Sequence, residues 1–412
     1  MSTSIGLEPG EKHAGLKGRT ILQLIPSLDA GGAERTTVDV AEGLAAAGAR
    51  PLVACSGGRL VAELQMKGGE WARFPANTKN PLRLMGNIGR LKRLCRDEGV
   101  ALIHARSRAP AWTALAATRA LKIPFVTTYH GIYSGRAAPK LLYNSVMCRA
   151  DVVIANSRYT EATIRRLFPW ASARVEVIHR GTDLSTFAPA AVAPERVSKL
   201  RADWGVAPGE RIVLVAARLT GWKGQKVFIE AARRLLAGGL EDVIFVMAGD
   251  PQGRENYVNE LDRLIEVHAL AGKVRRVGHC TDMPAAFLAA AVVAVPSTEP
   301  EAFGRSAVEA QALGAPVVVT DLGAVPETVL APPEVAEGER TGWRIPPADP
   351  QALADAISAA IAMQQGQRAA MQGRARSHVE AHFSLPGMVD ATLGVYERLL
   401  REQACGQRDD IF

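Results

Sequence analysis

Short apolar runs of strand length alternate with longer helix-patterned segments from one end of the chain to the other, and this alternation limits the possible folds more than any single motif. Runs that are apolar nearly throughout, such as Thr20 to Ile25 (TILQLI), Ala101 to His104, Val152 to Ala155, Arg211 to Ala217 and Val243 to Met247, need burial on both faces. Parallel sheets covered by helices provide that burial. The pattern breaks between Thr186 and Pro208 in an Ala/Pro-rich stretch (FAPAAVAPE) with linker composition, then restarts. A chain of 412 residues is also too long for one core. The expectation is an α/β protein of two doubly wound, Rossmann-like domains, spanning 19–188 and 189–384. A tail over 1–18 precedes them, and a final helix and tail over 385–412 follow. That helix carries an apolar stripe of Met388, Leu393, Tyr396, Leu399 and Leu400. Periodicity requires the stripe to be buried and leaves open on which domain.

With 48% hydrophobic and 22% charged residues the composition is that of a soluble globular protein. No stretch approaches the ~18 consecutive apolar residues that cross a bilayer. The opening residues lack an apolar core segment, so they read as a fraying tail and not as a secretory signal. Five scattered cysteines without a CxxC pair indicate buried small hydrophobes in a reducing cytoplasm. Net charge is +7, unevenly placed: 28 Lys and Arg face 15 Asp and Glu up to Leu200, and the acids prevail beyond it. A basic half can meet nucleic acid, anionic lipid or an acidic small molecule. Arg83, Arg90, Lys92, Arg93 and Arg96 lack interleaved aromatics, which argues against nucleic acid. A membrane surface or an acidic acceptor remains, alongside plain solubility.

Three loops carry candidate chemistry. The stretch Pro296 to Gly314 (PSTEPEAFGRSAVEAQALG) follows a strand and opens a helix, with Glu301 and Glu309 flanking its start. Helix-start N–H groups receive phosphates or carbonyls, and carboxylates accept from vicinal hydroxyls. In RLTGWKG, Arg218 and Lys223 stand on a glycine-containing loop that leads into a helix. Together they suit a diphosphate: a planar fork and a mobile point charge. Gly31 and Gly32 open the first helix and permit close backbone approach to an anion. No GxGxxG and no GxxxxGK[ST] occurs at these loops, so neither the standard dinucleotide fingerprint nor a Walker loop is present. His130 (TYHG) and the HRGTD segment, with Arg180, lie just past strand ends. His130 reads as a general acid/base, as a hydrogen-bond donor to substrate, or as structural.

Taken in order, these segments resemble the retaining glycosyltransferases of family 4 (glycosyltransferase group 1), from about Thr20 to Leu400. The landmarks are the GGAE loop, TYHG, ANSRYT ending at Thr160, HRGTD, RLTGWKG, MAGDPQG from Met247 to Gly253, and EAFGRSAVE, which resembles the family's E-x7-E signature. The resemblance implies a GT-B fold, two Rossmann-like domains facing across a cleft, with the last helix crossing back to the first. It implies a nucleotide-diphosphate sugar donor whose diphosphate meets Arg218 and Lys223. Glu301 would contact the transferred sugar, Glu309 the ribose, and backbone N–H groups around Phe303, Gly304 and Arg305 the sugar or phosphate. Gly31 and Gly32 would approach the phosphates, and His130 would stand near the reacting centre. No metal or other cofactor is expected. The implied acceptor is a glycan or a lipid-linked glycan, in envelope polysaccharide or lipopolysaccharide assembly, at the cytoplasmic side of an anionic membrane. Nucleotide-sugar 2-epimerases and non-catalytic sugar-nucleotide binding modules share the pattern as alternatives. Glu299, Arg305 and Ser306 depart from the family's usual loop and leave the donor open.

Overall fold

The computed structural model describes residues 12–29, 31–78, 80–131, 133 and 137–406. Residues 1–11 of the expected tail over 1–18, and the last residues, 407–412, lie outside the described residues. The chain forms two compact units, one ending at Gly181 and regained at Leu385, the other Thr182–Ser384. The break at Gly181 falls a few residues ahead of the one read from composition. Leu184 and Phe187 explain it, because they pack with Phe303 and Phe383 of the second unit.

The described residues of the first unit form seven strands, β1 Thr20–Leu24, β2 Arg50–Cys55, β3 Glu70–Arg73, β4 Val100–Ala105, β5 Phe125–Tyr129, β6 Val152–Ala155 and β7 Val175–Val177. All pair in parallel in the order β3-β2-β1-β4-β5-β6-β7. Period-two alternation sends Leu22, Ile103 and Val153 to one face, against Leu91, Cys95 and Ala114. Ile21, Leu102, Val126 and Ile154 go to the other, where Val40, Leu44, Tyr396 and Leu399 cover them. Both faces are thus buried, as the continuous apolar runs require. The final helix, Leu385–Ala404, lays its stripe on this first sheet.

Residues 12–18, which fall within the expected tail, pack onto the first unit. Leu16 is fully buried, and the His13 ring sits 3.0 Å from Asp390 and 3.3 Å from Glu397 on the final helix. An apolar anchor and a polar clasp therefore hold residues 12–18 in place.

The second unit has six parallel strands, β8 Arg211–Ala216, β9 Val243–Ala248, β10 Val274–Gly278, β11 Ala290–Val295, β12 Val317–Thr320 and β13 Trp343–Ile345. Their order is β10-β9-β8-β11-β12-β13. Val213, Val215 and Phe245 meet Phe228, Ala231 and Ile357 on one face. Ile212, Leu214 and Val293 meet Phe287, Ala307 and Ala310 on the other. In each sheet the chain reverses direction of growth at one place, between β1 and β4 and between β8 and β11. At such switch points the loops leaving the carboxyl ends diverge and leave room for a ligand.

Candidate active site

At the second switch point, the loop leaving β8 makes a short 3-10 turn, Gly221–Lys223, and enters the helix Gln225–Ala237 through Gly224. Gly224 is left-handed (φ +74), and a Cβ there would stand 1.8 Å from the Pro296 carbonyl oxygen. Only glycine lets this loop touch the one leaving β11. The Thr298 N–H donates to the Trp222 carbonyl at 2.8 Å, joining the two loops.

The junction brings Lys223 to Glu301. Lys223 Nζ donates to Glu301 Oε1 at 2.5 Å, and Ser297 Oγ donates to the same oxygen at 2.6 Å. Lys223 Nζ also lies 4.4 Å from the Trp222 ring centroid. The Glu301 backbone is fixed as well, its carbonyl accepting from Ala324 N–H at 2.9 Å. One carboxylate oxygen is therefore occupied, and the other can accept from ligand hydroxyls. Arg218 is exposed and its guanidinium has no partner among the described residues, while Gln225 Nε2 holds its carbonyl at 2.9 Å. A free cation and a half-engaged lysine–carboxylate pair face the same switch point, a composition that suits an anion bearing hydroxyls.

The helix Arg305–Ala312 begins at Gly304, and Ser306 Oγ donates to the Ala216 carbonyl at 3.0 Å, tying its first turn to the end of β8. Phe303 is an anchor: its side chain is buried, edge-on to Phe383 with centroids 5.5 Å apart. Its contribution to a ligand is confined to the backbone. The first N–H groups of a helix have no carbonyl four residues back to bond, although Ala307 N–H here donates to the Gly304 carbonyl at 3.0 Å. One turn on, Glu309 is 6% exposed and accepts from Arg305 Nε at 2.6 Å. Burial pushes its carboxyl above the ordinary range, and the Arg305 charge opposes that shift.

The first unit has its own cluster at the carboxyl edge around β1, β4 and β5. Arg180 Nη2 donates to the His130 carbonyl at 3.2 Å and faces His130 Nδ1 at 3.3 Å. Because arginine only donates, Nδ1 accepts and the imidazole proton sits on Nε2. That Nε2 is buried without a partner among the described residues. Burial, then the charges of Arg180 and Arg106, holds the His130 pKa well below the ordinary histidine value. A neutral Nε2–H donor follows, so of the two chemical roles read from sequence the geometry favours donation over acid/base work. Arg180 also covers Gly32: a Cβ there would come 2.2 Å from Arg180 Nη1. Gly31 caps the helix Gly32–Ala46, so both glycines stand beside this cluster.

The sequence reading did not single out Arg106, Gln23 or Ser297. Arg106 is 3% exposed at the end of β4 and donates to Gln23 Oε1 from Nε (2.9 Å) and Nη2 (2.5 Å). The available signal was a charged residue ending an apolar strand run, in HARSR. Among the described residues no group of three His, Cys, Asp or Glu is placed to hold a metal ion.

Comparison with known proteins fits this geometry. Residues 30–186 match the family model described as Glycosyltransferase Family 4, and residues 197–378 match Glycosyl transferases group 1. A solved glycosyltransferase from Rickettsia africae is 31% identical, with a TM-score of 0.84 over 93% of this chain and 99% of that one. Anabaena HepE, solved in complex with UDP-glucose, is 27% identical, with a TM-score of 0.76 over 92% of this chain and 98% of its own. The D-inositol 3-phosphate glycosyltransferase of Mycobacterium tuberculosis is 31% identical over 262 residues, 62% of this chain. The chain spans about half the length of that curated relative, 50%.

Proposed function

Because the chain belongs to the group 1 glycosyltransferases, with a family 4 domain ahead of the group 1 domain, we propose that it moves a hexosyl-type group from a nucleotide-diphosphate sugar to a glycan or lipid-linked acceptor, with retention of configuration. The setting proposed is bacterial envelope polysaccharide or lipopolysaccharide assembly, in the cytoplasm at the inner face of the membrane. Five free cysteines support a reducing compartment. UDP-glucose is the first donor to test, since HepE was solved with it.

The observation that carries the reading is the Lys223–Glu301 pair beside the uncommitted Arg218 at the switch point of the second sheet. As the anomeric bond breaks, positive charge grows on the sugar and negative charge on the leaving diphosphate. Arg218, Lys223 and first-turn N–H groups of the helix Arg305–Ala312 stabilise the leaving charge, at about 3 kcal/mol for each well-placed donor. No metal is needed for this distribution of charge. Glu301 holds the sugar hydroxyls. Retention through double displacement would need a free carboxylate nucleophile. Glu301 is engaged by Lys223 and Ser297, and Glu309 is buried on Arg305, which supports departure and attack on one face, with a diphosphate oxygen taking the acceptor proton. Acceptor contacts fall to the first unit, where His130 offers its Nε2–H.

A thermal-shift and turnover screen with UDP, GDP and ADP sugars tests this, using wild type, Lys223→Ala and Glu301→Ala. One donor class stabilises the wild type, and each variant loses turnover by about 100-fold or more. Wild-type turnover in both folded variants would refute the assignment. Donor conversion without any acceptor would point instead to an epimerase, and binding without turnover across a broad acceptor panel to a binding module.

A further inference from the structure

The helix Pro81–Asp97 in the first unit has a face that the fold leaves uncovered. Its inner side is conventional: Leu91 and Cys95 enter the core, and Asn87 Nδ2 donates to the Pro75 carbonyl at 2.9 Å. Its outer side begins with two large apolar side chains, Leu82 at 78% and Met85 at 69% exposure. Gly86 and Gly89 follow, with nothing within 4 Å of where a Cβ would stand. The same helix carries Arg83, Arg90, Lys92, Arg93 and Arg96 against a single acid, Asp97.

None of those five cations is paired with a carboxylate among the described residues; Arg90 reaches only Asn87 Oδ1, at 3.4 Å. Several other helices pair arginines with carboxylates along their own length, as in Arg165–Glu161, Arg233–Glu230 and Arg376–Glu380. The contrast matters because unpaired cations are ordinary for solubility, whereas unpaired cations behind an exposed Leu–Met turn form an amphipathic surface. A helix that follows a strand of a parallel sheet starts at the sheet's carboxyl edge, so Leu82 and Met85 lie at the edge that also holds Gly32 and His130. Leu142, 60% exposed, stands on Ala138–Ser145, which follows β5 and starts at the same edge. From Gly99 to Ala150 the chain contains no Asp or Glu.

We propose that this face docks on an anionic bilayer, with Leu82 and Met85 entering the boundary between headgroups and acyl chains and the arginines meeting lipid phosphates. The inference rests on the reading of the first unit as the acceptor side, since docking there presents its carboxyl edge to a lipid-linked acceptor. Positive charge complements an anionic leaflet, and the absence of aromatics on the face argues against a single-stranded nucleic acid.

The test is co-sedimentation of the full chain with vesicles of phosphatidylcholine alone and of equimolar phosphatidylcholine and phosphatidylglycerol, over a salt series. Wild type should bind the anionic vesicles, release them as salt rises, and ignore the neutral ones. Arg90→Gln/Arg93→Gln/Arg96→Gln should lose binding by about fivefold per charge removed at low salt. Leu82→Gln/Met85→Gln should weaken binding severalfold and leave a remainder that salt abolishes. All these positions are exposed, and circular dichroism with UDP-glucose thermal shift checks that fold and donor site persist. Failure of the wild type to bind anionic vesicles, or wild-type binding by both variants, would overturn the proposal. So would self-association in sedimentation velocity that only the Leu82/Met85 variant loses, without vesicle binding, because the face would then serve a second copy. Failure of the transferase reading looks different: vesicle binding would persist while no nucleotide sugar bound or turned over.

Discussion

In the proposed reaction the chemistry rests on Lys223 and Glu301, which the structure pairs directly. Lys223→Met would leave Glu301 largely buried, with Ser297 as its only side-chain partner among the described residues. Loss of a charged partner in a half-buried pair should cost about 2–4 kcal/mol of transition-state stabilisation, seen as a fall in kcat/KM. His130 makes a different prediction. Burial, then the Arg180 and Arg106 charges, hold its pKa well below the ordinary histidine value, so it stays neutral at neutral pH. His130→Ala should lower the rate without moving the pH profile between about pH 6 and 8. A profile whose acidic limb disappears in the variant would show that His130 titrates in turnover. Glu309 links site and stability. Its folded pKa is raised, so the folded state holds a proton that the unfolded chain releases, and stability falls as pH climbs from the unfolded value through the folded one. Glu309→Gln should therefore raise Tm at neutral pH, with the difference vanishing below about pH 4. Weaker nucleotide-sugar binding by the same variant would support the ribose role.

At the scale of elements, the loop junction at Gly224 is as important as the side chains it presents. Gly224→Ala adds a Cβ at φ +74 against the Pro296 carbonyl, so one loop must move. A cost above about 1 kcal/mol in stability is expected, together with weakened donor binding in calorimetry, because Lys223 is the preceding residue. Apolar runs made the central strands readable from sequence, and the Arg218–Lys223 and Glu301–Glu309 loops could be placed at strand ends. β3 and β13 were not readable: Glu70–Arg73 and Trp343–Ile345 are short edge strands that never needed a continuous apolar run. The loop contacts were hidden too. Lys223 and Glu301 are far apart in sequence, and nothing local announces that a lysine will pair with the carboxylate expected to hold sugar.

The whole molecule is two Rossmann-like units, the pair that makes up the GT-B fold, with the last helix returned to the first. That return has an identifiable fastening. Tyr396 Oη lies 2.5 Å from His104 Nδ1 in the core of the first unit, and His104 Nε2 lies 2.7 Å from Thr128 Oγ1. Tyr396→Phe would strand a buried ring nitrogen and should lower stability by about 1–3 kcal/mol in denaturant unfolding, leaving donor affinity unchanged. The apolar stripe of this helix was legible, whereas its destination was not, since periodicity identifies a face and not its partner. No helix among the described residues is long and apolar enough to cross a membrane. The central claim is that the second switch point holds the diphosphate sugar. Titration calorimetry of wild type and Lys223→Ala with UDP-glucose and with UDP, GDP and ADP addresses it most directly. The account predicts saturable binding of one nucleotide class by the wild type and at least a tenfold loss in the variant, about 1.4 kcal/mol. Equal affinity in wild type and variant, or no binding of any nucleotide by the folded wild type, would contradict it.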